Sequence, residues 1–147
     1  MKRIFVLAIV IAAAYAWNAD PLRLAASRGV SAEQGTGADA VLANAFAQQR
    51  NDVQVQGSGR VTRILSDDNE GSRHQRFIVQ LDSGQTLLVA HNIDLAERLA
   101  SLKAGDQVEF NGEYEWNSQG GVIHWTHHDP EGRHEAGWIR HNGRTYQ

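Results

Sequence analysis

Apolar and polar side chains alternate with a period of two through much of 51–128, and this pattern does most to limit what the chain can fold into. The clearest run lies at 108–116. Val108, Phe110, Gly112, Tyr114 and Trp116 face one way, and Glu109, Asn111, Glu113 and Glu115 face the other. Such alternation predicts half-buried strands. A longer run, Val53 to Leu65, is interrupted by Gly57 and Gly59 and predicts a strand with a bulge or sharp bend. The acidic stretch 66–72 turns the chain, and further strands are expected over 74–81 and 86–91. Between strands three and four, Asp94 with Glu97 forms a capping box ahead of Leu95, Leu99 and Leu102, which predicts a helix ending at Gly105. Residues 118–121 form a hairpin turn, and a fifth strand is expected over 122–128.

Three strands, a helix and two strands, led by a long glycine-broken strand, is the layout of a mainly β, OB-fold-like five-stranded barrel. An SH3-like barrel lacks the helix between strands three and four. The barrel is assigned to 51–130 and a tail, 131–147, is expected to pack on it through Trp138 and Ile139. Ahead of it, 17–50 reads as an Ala-, Gly- and Ser-rich linker followed by a short helix from Asp39 to about Arg50.

The first sixteen residues read differently. Met1-Lys2-Arg3 precedes an unbroken apolar run, Ile4 to Ala16, closed by Ala14-Tyr15-Ala16. A positive start, a short apolar stretch and a small-x-small end predict a signal peptide over 1–16 and hence a periplasmic or secreted protein. A helix over that run spans only ~20 Å, short of the ~30 Å hydrocarbon core. Residues 1–17 are therefore the expected membrane contact only if they persist as an uncleaved anchor. Their removal leaves 12 basic and 17 acidic side chains, a net of −5. That balance, with aromatics alternating inward, argues against a nucleic-acid partner, which requires a basic footprint. The absence of cysteine excludes disulfides, thiolate zinc sites and a cysteine nucleophile.

The seven histidines all fall between His74 and His141. His124, His127, His128, Asp129 and His134 suggest a metal site, but strand parity divides them. His127 should face opposite to His124 and His128, and the latter two stand ~13 Å apart on a regular strand, too far to share an ion. A four-residue hairpin would pair Glu115 with His124 and Glu113 with Thr126, and would set His127 inward opposite Gly112. No cofactor is expected on these grounds. Zinc is the ion that His128, Asp129 and His134 would take if the strand end folds back. A second candidate lies on the face of strands two and three, the usual OB-fold binding surface. There His74, Arg76, His91 and Asn92 form a ligand-binding set, with Arg76 offering a fork for phosphate or carboxylate.

Three segments carry a resemblance: His74-Gln75-Arg76-Phe77, Ala90-His91-Asn92-Ile93 and Gly120-Gly121-Val122-Ile123-His124-Trp125-Thr126-His127-His128-Asp129-Pro130. With Gly137-Trp138 and Asn142-Gly143, the chain from about residue 50 resembles a family of small exported bacterial proteins of unknown function. The resemblance implies export and supplies no catalytic residue. Without a Ser-His-Asp spacing or a paired-carboxylate motif, the sequence points to a binding module for a small or polymeric envelope or extracellular ligand. The alternative is a histidine-based hydrolase or nuclease, with or without zinc.

Overall fold

A computed structural model describes residues 32–147, so the predicted signal peptide and most of the linker lie outside the described residues. The described chain runs α1 (Ala32–Ala47), β1 (Val53–Ile64), β2 (His74–Gln80), β3 (Thr86–Asn92), β4 (Gln107–Glu115), β5 (Val122–His124), β6 (Trp138–His141) and β7 (Arg144–Tyr146).

The strands form one sheet in the order β1-β2-β3-β5-β4-β6-β7, and a further β1–β4 pairing closes its first five strands into a barrel. β1 can serve two partners because it bends. Its first part, Val53–Arg60, pairs with β4, and its second part, Arg60–Ile64, pairs with β2 across a register shift between Val61 and Arg63. Gly59 lies at the changeover, where a Cβ would sit 2.6 Å from the Gln80 carbonyl oxygen. β3 and β5 run parallel and the other neighbours antiparallel. The inward row of β4, Val108, Phe110 and Tyr114, is almost wholly buried with Phe77, Leu87 and Ile123. Deep burial of side chains this size contributes ~1.5–3 kcal/mol each, which makes the alternating pattern a strong determinant of the fold.

Three local expectations are corrected. The N-terminal helix starts at Ala32, not Asp39, and so includes Gly35 and Gly37, which read as linker. Its Leu42 and Ala45 are buried against the barrel, where α1 packs on β1, and this burial outweighs the helix penalty of the glycines. The helix expected over 94–105 is a series of turns. Tertiary partners claim the backbone groups that a helix would need: the Gln75 side-chain amide donates to the Leu99 carbonyl at 3.1 Å and accepts from the Leu99 N–H at 2.9 Å. Asp94, read as the helix cap, instead accepts from the backbone N–H and guanidinium of Arg73, both at 2.7 Å. The fifth strand ends at His124, not His128, because Trp125 adopts a φ of 52° that an extended strand cannot contain.

The tail does more than cover one end of the barrel. β6 extends the sheet along β4, with Phe110 opposite Ile139 and Asn111 opposite Trp138, and β7 returns beside it as a hairpin. β5 and β6 therefore occupy the same edge of β4 end to end, with residues 125–137 looping between them.

Candidate functional site

That loop builds a half-buried cluster of carboxylates and imidazoles on the outer face. Glu113 and Glu115 point outward because Gly112 and Tyr114 take the inward positions, and His124 points outward because Ile123 does so. The observed register pairs Glu113 with His124 and Glu115 with Val122, two residues from the expected hairpin. Gly112 accounts for the offset. A Cβ there would meet the Ile123 side chain at 2.9 Å and that of Thr126 at 3.0 Å, so Thr126, not His127, fills the space beside it. His127 is buried as expected, with Nδ1 2.7 Å from its neighbour's carbonyl at His128.

Two backbone approaches hold the loop against the sheet. The Gly137 N–H donates to the His127 carbonyl at 3.0 Å, and the Asn111 side chain donates to the Ala136 carbonyl at 3.2 Å. A Cβ on Gly137 would collide with the Trp125 carbonyl and lie 2.6 Å from that of Asn111, so only glycine permits the crossing. His134 then stacks on Trp125, with ring centroids 4.1 Å apart and planes 7° from parallel. Its Nε2 reaches Glu113 Oε2 at 2.6 Å.

The cluster has an unusual proton inventory. His134 Nδ1 lies 2.8 Å from the Glu135 carbonyl, which can only accept. With Nε2 on a carboxylate as well, both ring nitrogens face acceptors, the environment of an imidazolium. Burial lowers its pKa, but the bonds to Glu113 and Glu135 outweigh that and hold it above the ordinary value. His124 goes the other way, since burial pushes it below the ordinary value against the partial opposition of Glu113. Its Nε2 approaches Glu113 Oε1 at 3.3 Å and Glu115 Oε1 at 3.8 Å, yet it is a buried atom that makes no hydrogen bond. Glu115 is pushed up to about 7 by burial and by the negative charges of Asp52 and Glu113.

The residues singled out in the sequence are distributed as follows. His74 and Asn92 are register partners, with His74 Nδ1 2.7 Å from the Ser72 carbonyl. Arg76 shares their outward face and donates through Nε to the Ser66 carbonyl at 2.9 Å. His91 lies on the opposite face, fully buried, its Nδ1 2.8 Å from Thr126 Oγ1 and its Nε2 3.1 Å from the Glu97 carbonyl. His128 is exposed, and the Asp129 carboxylate accepts the backbone N–H groups of Glu131, Arg133 and His134 at 2.7–2.9 Å. Of that trio, His134 reaches the carboxylate cluster. Glu113 and Glu115 were read as the polar face of a strand, with Glu115 expected opposite His124, and no spacing signalled that a loop would bring a second imidazole to one of them.

The register joins these groups into one band. Arg76 lies opposite Ala90, His124 opposite Glu113, and Glu113 opposite Gln54. Because Val89 neighbours Ile123 on the parallel strand, the next outward pair is Ala90 and His124. An outward row thus crosses β2, β3, β5, β4 and β1, polar except at Ala90, which is covered and stands between Arg76 and His124. The charge of His74 reaches the imidazoles of His91, His124 and His127, where it opposes their protonation.

A closed five-stranded barrel extended by a C-terminal hairpin, with a polar band on its outer face, places the molecule among the OB-fold-like barrels. The chain belongs to the family described as protein of unknown function (DUF3465), whose profile matches residues 24–147. No curated protein matches it.

Proposed function

We propose that the protein is an exported binding module that recognises a cell-envelope ligand through an anionic group, a carboxylate or a phosphate, on the band that begins at His74, Arg76 and Asn92. The observation that carries this reading is the outward set at the β2–β3 end, where Arg76 shares its face with the register partners His74 and Asn92. Arg76 spends Nε on the Ser66 carbonyl, which orients the guanidinium. Oriented guanidinium groups recognise carboxylate and phosphate through paired, charge-assisted bonds. Export rests on the sequence alone, on Met1-Lys2-Arg3 and the apolar run to Ala16.

The test is a nitrogen-15 NMR titration of the protein with inorganic phosphate, with a soluble muropeptide and with a single-stranded oligonucleotide. The expected result is saturable shifts at 74–76 and 90–92 for an anionic envelope probe, abolished in Arg76→Ala. Shifts elsewhere that Arg76→Ala leaves unchanged, no shifts at all, or a response to the oligonucleotide alone would overturn the reading.

A further inference from the structure

We propose that Glu113, Glu115 and His124 form a binding site for a divalent transition-metal ion of the zinc type, with His134 as a positioning residue that holds Glu113. The site is separate from the anion-binding set at Arg76, and either proposal can fail without the other.

Geometry provides the first support. One ligand atom from each of the three side chains lies within 4.8 Å of the others. Tetrahedral ligands ~2.0–2.1 Å from an ion stand ~3.4 Å from each other. The His124 Nε2 distances of 3.3 Å to Glu113 and 3.8 Å to Glu115 therefore bracket the required spacing before any rearrangement. Adjacent antiparallel strands supply all three, so the positions are fixed by the β4–β5 ladder and not by a loop.

The second support is the condition of His124. Its Nε2 is buried beside two carboxylate oxygens and makes no hydrogen bond. A buried polar nitrogen without a partner costs ~1–3 kcal/mol, and coordination would remove that cost.

The third is the outer layer. His134 contacts Glu113 Oε2, which leaves Oε1 directed at His124. Hydrogen bonds to ligating carboxylates of this kind orient metal ligands and tune their basicity. Trp125 stacks on His134 and the Glu135 carbonyl bonds its other nitrogen, so the ring has little freedom to turn. One imidazole with two carboxylates suits a borderline ion such as zinc better than magnesium, which prefers an all-oxygen shell. Three protein ligands leave a fourth position for water or a ligand group.

The charged groups facing the site are Asp52 from the turn before β1, Glu113 and Glu115 from β4, His124 from β5, His134 from the loop and, at longer range, His74 from β2.

The experiment is calorimetric titration of tag-free protein with zinc sulfate at pH 7.5. One ion per chain is expected, with no response to magnesium. Affinity should fall at least ~10–100-fold in His124→Ala and in Glu115→Gln, the scale of loss seen even for outer-layer partners, and by a similar factor in His134→Gln. His128→Ala and Arg76→Ala should bind as the wild type does. Glu115→Gln is nearly isosteric and removes a half-buried charge, so it keeps the test decisive if His124→Ala misfolds. Zinc binding that is absent, or that survives both Glu115→Gln and His124→Ala, would overturn the proposal.

Discussion

Replacing His91 with glutamine should flatten the acid side of the protein's stability profile. His91 is fully buried, and its two ring nitrogens are matched to one donor and one acceptor. Nε2–H donates to the Glu97 carbonyl, so Nδ1 accepts from the Thr126 hydroxyl, which is the pattern of a neutral ring. Burial pushes its pKa down from 6.5 to about 4. The Glu97 carbonyl opposes that shift in part, and the imidazoles of His127 and His74 reinforce it. In the unfolded chain the ring titrates near 6.5. Between those values the unfolded state takes up a proton that the folded state refuses. The neutral ring's contribution is therefore complete above pH 6.5 and is lost as the pH falls toward 4. A shift from 6.5 to about 4, at ~1.4 kcal/mol per unit, amounts to about 3 kcal/mol at pH 4. Urea unfolding of wild type and His91→Gln at pH 7.5 and pH 4 measures it directly. The variant is less stable at pH 7.5, but its loss on acidification should be smaller than the wild type's by about 3 kcal/mol. His124 and His127, also lowered by burial, contribute to both proteins and cancel in the difference. Equal losses in the two proteins would refute the reasoning, as would an imidazole NMR titration that places His91 near 6.5.

Other perturbations probe other contacts. Burial and neighbouring charge push Glu115 from 4.5 up to about 7 in the folded protein, so the stability contributed by its protonated form is lost as the pH rises from about 4.5 through about 7. After discounting for its solvent-exposed part, Glu115→Gln should be more stable than wild type by ~1–2 kcal/mol at pH 8.5 and nearly equal to it at pH 5, measured by scanning calorimetry in EDTA. Gln75→Leu leaves the N–H and carbonyl of buried Leu99 without partners. It should cost ~2–4 kcal/mol in chemical denaturation and speed amide exchange across 95–103. Gly137→Ala forces a methyl against the Trp125 and Asn111 carbonyls. It should cost at least ~1–3 kcal/mol by thermal melting and release His134 from Glu113, visible as a loss of the His134 imidazolium signal in NMR.

The barrel was legible because its information is local. Alternation at 108–116 assigned each side chain of β4 to a face, and the glycines at 57 and 59 marked the bend that lets β1 pair with both β4 and β2. A period of two is a property of neighbouring residues, and hydrophobic burial enforces it wherever one face is covered. His127 is buried as parity suggested, but it lies in the loop beyond a strand that ends at His124, beside an equally buried Thr126 that parity had turned outward, so the loop and not the alternation places it. The helix read over 94–105 failed for the complementary reason. Its capping and apolar signals were real, but the Gln75 amide, from β2, satisfies Leu99 better than a helical turn would. Propensities of a few tenths of a kcal/mol per residue yield to two buried hydrogen bonds.

The carboxylate–imidazole cluster shows the same division at the site. The sequence determined that Glu113, Glu115 and His124 lie on outward positions of neighbouring strands. Only the tertiary structure decided that Trp125 would leave the strand at a φ of 52°, that Gly137 would let the loop cross back, and that His134 would settle 2.6 Å from Glu113. Backbone turns and close crossings are fixed by contacts between residues distant in sequence. No periodicity records them, so the face was written in the chain and its chemistry arose from the fold.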